Sequence, residues 1–369
     1  EDHAPSADTF VARTDKVVGI PMTFSTHSLW PLYAGYFHEL GVPTKTSQGI
    51  APAGLAKLES NYCFPAEIAH GTAQDVLDRG VDYIFLPHFR DMPTHEKAGV
   101  HACTCPLTQG LPYMLRRAFG LPDDKILKPL VAFKHGLAET RGEMAEVACQ
   151  LGFERAQGER AFDSSLAAYE RFLETYQARG RELLAEVRAN PDKPYVLLCG
   201  RPYNAFTRDA NMGIPRKFTS QGVTVIPFDM VYSPDEPITP NMYWYYGQQN
   251  MKAVTLAKET PNLYVTWISN FSCAPDSFML HYLREAMGQK PYLVLEIDSH
   301  SADAGVDTRI EAFLDIVDSY RRVTLAAPPA RVRARFEIVP KKEFCDIVDR
   351  RSGERIDIRD PRVTMIFPP

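Results

Sequence analysis

Short, continuous apolar runs alternate along this chain with stretches whose apolar residues recur every three or four positions. That alternation predicts strands and amphipathic helices in turn. Lys16-Val17-Val18-Gly19-Ile20-Pro21 reads as a strand, and Leu29 to Leu40 as a helix with Gly41 as its stop. Leu55 to Glu59 is a brief helical piece. Phe64 to Asp78 is a helix closed by Arg79-Gly80, and Val81 to Pro87 is a strand apolar throughout its centre. The pattern resumes at Pro194, where Tyr195-Val196-Leu197-Leu198-Cys199 runs into the turn Gly200-Arg201-Pro202-Tyr203-Asn204. Helices are then predicted over Asn211–Gln221, Asn241–Thr260, Ser277–Met287 and Thr308–Tyr320. Strands are predicted over Val223–Pro227, Leu263–Ile268 and Tyr292–Ile297. Strands fully apolar and separated by helices imply parallel sheets covered on both faces, an α/β class.

Between the two alternating regions, Gly136 to Asn190 is helical and charged with few Gly or Pro breaks, which suits a helical connector that packs between two lobes or spaces them. The division expected is a polar tail over 1–16, a first lobe over 17–135, the connector over 136–192, a second lobe over 193–326 and an extension over 327–369. The extension changes to alternating basic residues, Arg331-Val332-Arg333-Ala334-Arg335-Phe336, with a hairpin around Arg351-Ser352-Gly353-Glu354. No Met opens the chain and its last residues read as a strand that stops, so a piece of a longer protein is expected.

Composition narrows the partners. At 369 residues, with 45% hydrophobic and 24% charged side chains, the chain has the balance of a soluble globular protein. A net charge of -5 with scattered Lys and Arg argues against a nucleic-acid surface. No apolar run has the length of a membrane span. Seven cysteines, an odd number, fit a reducing cytoplasm with thiols free or metal-bound.

Three cysteine loops carry the chemistry. Cys63 in Asn61-Tyr62-Cys63-Phe64-Pro65, Cys103 and Cys105 in His101-Ala102-Cys103-Thr104-Cys105-Pro106, and Cys273 in Ser272-Cys273-Ala274-Pro275 all stand beside a proline. Proline is tolerated in a helix's first turn, so Cys63 falls at or just before a helix N-terminus, where a thiolate is stabilised, and the other two loops repeat the pattern of Cys beside Pro at strand or helix ends. Soft thiolates select zinc or an iron-sulfur cluster. The only close pair is Cys103 and Cys105, with His101 as a nitrogen donor, which is not a standard zinc spacing. A cysteine nucleophile served by His70, His88 or His101 is a third option that the spacing does not select. Cys149, inside a helical pattern, reads as a small core residue, Cys345 as unrelated to any site, and Cys199 as either a core strand residue or a neighbour of the crevice between the lobes on which Cys63, Cys105 and Cys273 are expected to converge. Tyr243-Trp244-Tyr245-Tyr246 reads first as packing and second as a cofactor wall. Arg201 is expected at an anionic group, or else paired with a local acid such as Asp229.

Together these motifs, with Gly19-Ile20-Pro21, Ala69-His70-Gly71, Val81-Asp82-Tyr83-Ile84-Phe85, Gly213-Ile214-Pro215 and Glu296-Ile297-Asp298-Ser299-His300, resemble the iron-sulfur component of the 2-hydroxyacyl-CoA dehydratase superfamily. More closely they resemble its dehydratase-like domain found fused to activator ATPases of the CoA-substrate-specific enzyme activase type. The similarity runs over about residues 17–325. It implies two Rossmann/flavodoxin-like parallel-sheet lobes. It also implies an oxygen-sensitive 4Fe-4S cluster on Cys63, Cys105 and Cys273, with Cys103 as a fourth ligand or a bystander, or alternatively an 8Fe-9S double cubane. An ATP-hydrolysing activator with its own cluster would deliver low-potential electrons, ATP being used only through it, and a second dehydratase-like subunit or half is a further expected partner. The reaction implied is radical dehydration of a 2-hydroxyacyl-CoA, or reduction of a small substrate by the double-cubane form, with Arg201, Asn204 and His70 as substrate or partner contacts. Glu67 stands where the family pattern has Lys. A non-catalytic iron-sulfur or zinc scaffold is the reading from a different class.

Overall fold

Beginning at Val18, the chain forms β1 (Val18–Ile20), α1 (Thr26–Leu40), β2 (Thr44–Thr46), the single turn α2 (Pro52–Leu55), α3 (Phe64–Asp78), β3 (Tyr83–Phe85), β4 (His88–Asp91), α4 (Pro106–Phe119), β5 (Ile126–Leu127) and β6 (Leu130–Ala132). This computed structural model describes residues 10–60, 62–93, 101–134, 136–232, 237–326, 336–340, 345–350, 352–357 and 359–360. β1, β2, β3 and β5 make a parallel sheet in the order β2-β1-β3-β5, and β4 pairs with β6 as a separate parallel ribbon. Gly19 is obligatory in β1, because a Cβ there would collide with Val76 of α3 and with Val81. The helix therefore seats directly on the strand.

α5 (Arg141–Gln150) and α6 (Arg155–Ala189) follow. At 35 residues, α6 is about 50 Å long. Its first half places Ala161, Phe162 and Tyr169 against Leu32, Tyr33, Phe37 and Phe85 in the first core. Its last turns give Leu183, Leu184 and Val187 to the second. One helix thus serves both cores.

The second sheet is built from β7 (Tyr195–Gly200), the short turns α7 (Pro202–Ala205) and α8 (Arg208–Asn211), α9 (Ile214–Ser220), β8 (Thr224–Pro227), α10 (Tyr245–Glu259), β9 (Leu263–Asn270), α11 (Ala274–Met287), β10 (Tyr292–Ile297) and α12 (Asp303–Ala326). Every pairing is parallel and the order is β10-β9-β7-β8. Every residue of β7 and β9 is buried, the signature of a central parallel strand. Taking each sheet's strands in chain order, both read second-first-third-fourth, the flavodoxin-like order whose direction reverses between its first and third strands. The α/β class with parallel sheets is as expected from the pattern.

Residues 318–369 form a compact unit of their own, in which β11 (Phe336–Pro340), β12 (Cys345–Asp349) and β13 (Arg355–Asp357) make an antiparallel sheet. β12 turns into β13 through Gly353 at φ 73°, the hairpin anticipated there. Two sequence readings are corrected. α10 begins at Tyr245 rather than Asn241, because Asn241 takes a left-handed φ of 61° that a helix cannot use. Cys149 is exposed, because the buried face of α5 is Met144, Ala145, Val147 and Ala148 and Cys149 falls on the other side.

Candidate functional site

Three helices begin at a cysteine. Cys63, Cys105 and Cys273 are the N-cap residues of α3, α4 and α11, each with extended backbone and each followed by proline at the first or second helical position. The Cys105 thiol accepts from Thr108 N–H at 3.4 Å, and the Cys273 thiol from Asp276 N–H at 3.3 Å. Sulfur thus takes the part that a serine or aspartate oxygen plays in an ordinary cap. All three are buried, and Cys63 and Cys105 share a cluster with Phe24, Tyr203 and Tyr246.

Arg201 stands among them. It follows the last residue of β7, and Asn250 of α10 clamps that turn by accepting from Gly200 N–H at 2.8 Å and donating to Gly200 O at 3.0 Å. Gly200 is at φ 128°, and a Cβ there would strike the Ile268 carbonyl of β9, so only glycine allows the two central strands this approach. The Arg201 guanidinium donates to Asp276 Oδ2 at 2.8 Å, Asn270 Oδ1 at 2.9 Å and the Tyr203 hydroxyl at 3.3 Å, and packs over the Tyr203 ring. Asp276 also accepts from Ser269 Oγ at 2.8 Å. Both charges are nearly solvent-free, at 3% and 1% side-chain exposure. The anticipated pairing with Asp229 is not formed: Asp229 instead accepts from Tyr176 of α6 at 2.8 Å. The site lies at the reversal point of the second sheet, outside the carboxyl ends of β7 and β9, where open α/β sheets gather ligands.

The thiols, the arginine and the tyrosine act on one another electrostatically. Burial pushes the Cys63 thiol up, Arg201 pulls it down, and Cys105 raises it. Burial likewise raises Cys273, with Arg201 again opposing and Cys63 adding to the rise. Burial opposes the charge of Arg201, but Asp276, Tyr203, Cys273 and Cys105 together hold it protonated. Burial therefore favours the neutral form of the Cys63 and Cys273 thiols.

The remaining sequence candidates are placed as follows. Cys103 joins two segments by its backbone, donating to Tyr243 O at 2.9 Å while its carbonyl accepts from Tyr245 N–H at 3.1 Å. Asn204 is fully buried, and neither polar atom of its amide has a partner among the described residues. His70 is buried in the second turn of α3, bonded to Ala66 O at 2.8 Å with its ring towards Phe119. Cys199 lies in the second core and burial raises its thiol far above the ordinary range. Tyr246 of the aromatic cluster packs at 6.0 Å from Tyr203 and donates to Ser25 Oγ at 3.1 Å, whereas Tyr243 is exposed. No histidine bonds a cysteine thiol among the described residues, so no nucleophile-base pair is drawn from them.

Asp276 and Asn270 were not singled out by sequence. The signal available was the acid at the third helical position after Cys273, where a capping carboxylate is common. Backbone outliers were also invisible: Phe24 at φ 41° packs on Tyr203 at 5.1 Å, and Ser272 at φ 61° immediately precedes Cys273. Such conformations persist where surrounding structure imposes them, and they gather at functional sites.

Among the described residues, no three His, Cys, Asp or Glu side chains stand close enough to hold a single metal ion. A mononuclear zinc site gains nothing from this geometry. A polynuclear cluster spaces its thiolates more widely, since each binds a different iron, and it takes cysteines distant in sequence. Three buried N-cap thiols on three separate helices supply the donor type that such a cluster takes.

Residues 17–231 match the family model described as CoA enzyme activase uncharacterised domain (DUF2229). The chain belongs to that family. Membership ties it to CoA-linked activase systems and covers the first two cysteine loops and the Arg201 turn. No curated protein matches the chain. Among solved structures, a mutant, manganese-bound periplasmic metal binding protein from candidatus liberibacter asiaticus aligns at 13% identity over 83% of this chain and 99% of that one, with a TM-score of 0.27. The C-terminal domain of glucosamine-fructose-6-phosphate aminotransferase from Francisella tularensis aligns at 11% identity over 88% and 90%, with a TM-score of 0.22. At such scores neither likeness carries an argument. No described helix is long and apolar enough to cross a membrane.

Proposed function

We propose that this chain is the electron-accepting iron-sulfur component of a CoA-linked, ATP-driven activase system, with Cys63, Cys105 and Cys273 holding a 4Fe-4S cluster. One observation carries the reading: three buried cysteines cap separate helices, and the buried Arg201 is tied to their neighbours Asp276 and Tyr203. When bound, such a cluster supplies low-potential single electrons, the chemistry needed to remove a hydroxyl from a 2-hydroxyacyl thioester through a radical.

The chain's own residues perform the remaining tasks. The apolar wall of Phe24, Tyr203 and Tyr246 keeps water from the Cys63 and Cys105 thiols. The helix N-termini and Arg201 offset the negative charge that three thiolates bring.

Anaerobic reconstitution with iron and sulfide, read by metal analysis and electron paramagnetic resonance, tests it. About four irons per chain with a cubane signal is the expected result, and about eight would move the reading to the double cubane. Stoichiometric zinc with no iron uptake would overturn it in favour of a scaffold.

A further inference from the structure

The pair formed by Arg201 and Asp276 is not explained by stability. Two charges taken out of water lose hydration that their mutual attraction only partly returns, so a buried ion pair is weak evidence for stabilisation. This one is not even fully satisfied: Arg201 Nε and Asp276 Oδ1 are both buried without a partner among the described residues. Stacking the guanidinium on Tyr203 and tying it to Asn270 fixes its position at some cost. What that position achieves is proximity of one charge to the thiols.

We propose that Arg201 is the fixed countercharge that sets the reduction potential of the cysteine site, and that Asp276 is its partial neutraliser. The inference rests on the iron-sulfur reading above. A guanidinium stays protonated in proteins, so its charge does not vary with pH or with the state of its neighbours. It bonds Asp276, whose backbone N–H bonds Cys273 Sγ, and it stacks on Tyr203, which shares a buried cluster with Cys63 and Cys105, so its field reaches the cysteine site. In a pocket walled by apolar groups that field is screened far less than at a surface. An added electron is thereby favoured, and the potential rises. Asp276 acts with the opposite sign from the same place: its carboxylate faces Arg201, while its backbone N–H donates to Cys273 Sγ. The two residues are positioning residues that act on the site through charge, and removing each moves the potential in opposite directions.

The test uses the full chain, reconstituted anaerobically, with midpoint potentials read by redox titration followed by electron paramagnetic resonance. Arg201→Gln is expected to lower the potential by about 59 mV or more, a tenfold change in a one-electron equilibrium. Arg201→Lys keeps the charge and is expected to stay near the parent. Asp276→Asn is expected to raise the potential, and it serves independently should Arg201→Gln fail to fold. A merely structural role would shift iron content or stability and leave the potential of the loaded fraction in place. Loaded variants with unchanged potentials, or with both shifts of the same sign, overturn this inference and leave the iron-sulfur reading standing. A parent chain that takes up no iron overturns both.

Discussion

At the scale of single residues, the six cysteines with described side chains divide by surroundings and not by chemistry. Cys63, Cys105 and Cys273 cap helices around Arg201, Cys103 bridges through its backbone, Cys199 is core and Cys149 faces solvent. Serine is nearly isosteric with cysteine, so Cys63→Ser or Cys273→Ser is expected to remove most of the iron with little change in fold. Cys149→Ser is expected to leave iron content alone, and metal analysis separates the cases. Cys199→Ser places a hydroxyl among apolar side chains, and about 1–3 kcal/mol of lost stability is expected with iron uptake retained. Asp229 gives a pH test. Burial lifts its carboxyl to about 6, while the Tyr176 hydroxyl bond draws it down. An acid whose folded pKa lies above its unfolded value binds more protons folded than unfolded, so stability falls as pH rises from about 4 through 6. Asp229→Asn is expected to remove that slope, on the order of 2 kcal/mol, in urea midpoints compared at either end of the window.

At the scale of elements, periodicity was most legible where an element was long and bounded by clear stops. The helix expected over Phe64–Asp78 and the strand over Tyr292–Ile297 are reproduced to the residue. The strands of the first sheet are only two or three residues long and left faint signals, and β4 with β6 was not anticipated because β4 carries no apolar run and that of β6 is only three residues long. Why α6 contains Gly180 was equally hidden: a Cβ there would meet the Met230 carbonyl across the interface, a contact that no local pattern encodes. Gly305, exposed in the first turn of α12, has open space around it. Glycine to alanine in a helix ordinarily stabilises by about 0.5–1 kcal/mol. That gain is expected for Gly305→Ala, whereas Gly180→Ala is expected to destabilise, since backbone on both sides must shift. Thermal midpoints of the two variants should move in opposite directions.

At the scale of the whole molecule, the sequence showed that strands and helices alternate but not which strands neighbour one another. The second-first-third-fourth order of each sheet decides where a site forms, and it arises from long-range pairing such as Val18 with Tyr83 and Leu197 with Val265. That is why the three cysteine loops were recognisable as motifs while the Arg201–Asp276 contact, 75 positions apart, was not. The placement carries a dynamic consequence. Cys63 and Cys105 open helices beside the first sheet, and Cys273 opens one that leaves the end of β9 in the second. Without metal, these regions are joined by contacts such as Tyr246 to Ser25 and Cys103 to Tyr243. A cluster bound by all three thiols ties them covalently, and a ligand that binds only the folded state adds its binding free energy to stability. Loading is therefore expected to slow amide exchange together in the first turns of α3, α4 and α11, with α12 unaffected. Protection confined to α3 and α4 would mean that Cys273 is not a ligand.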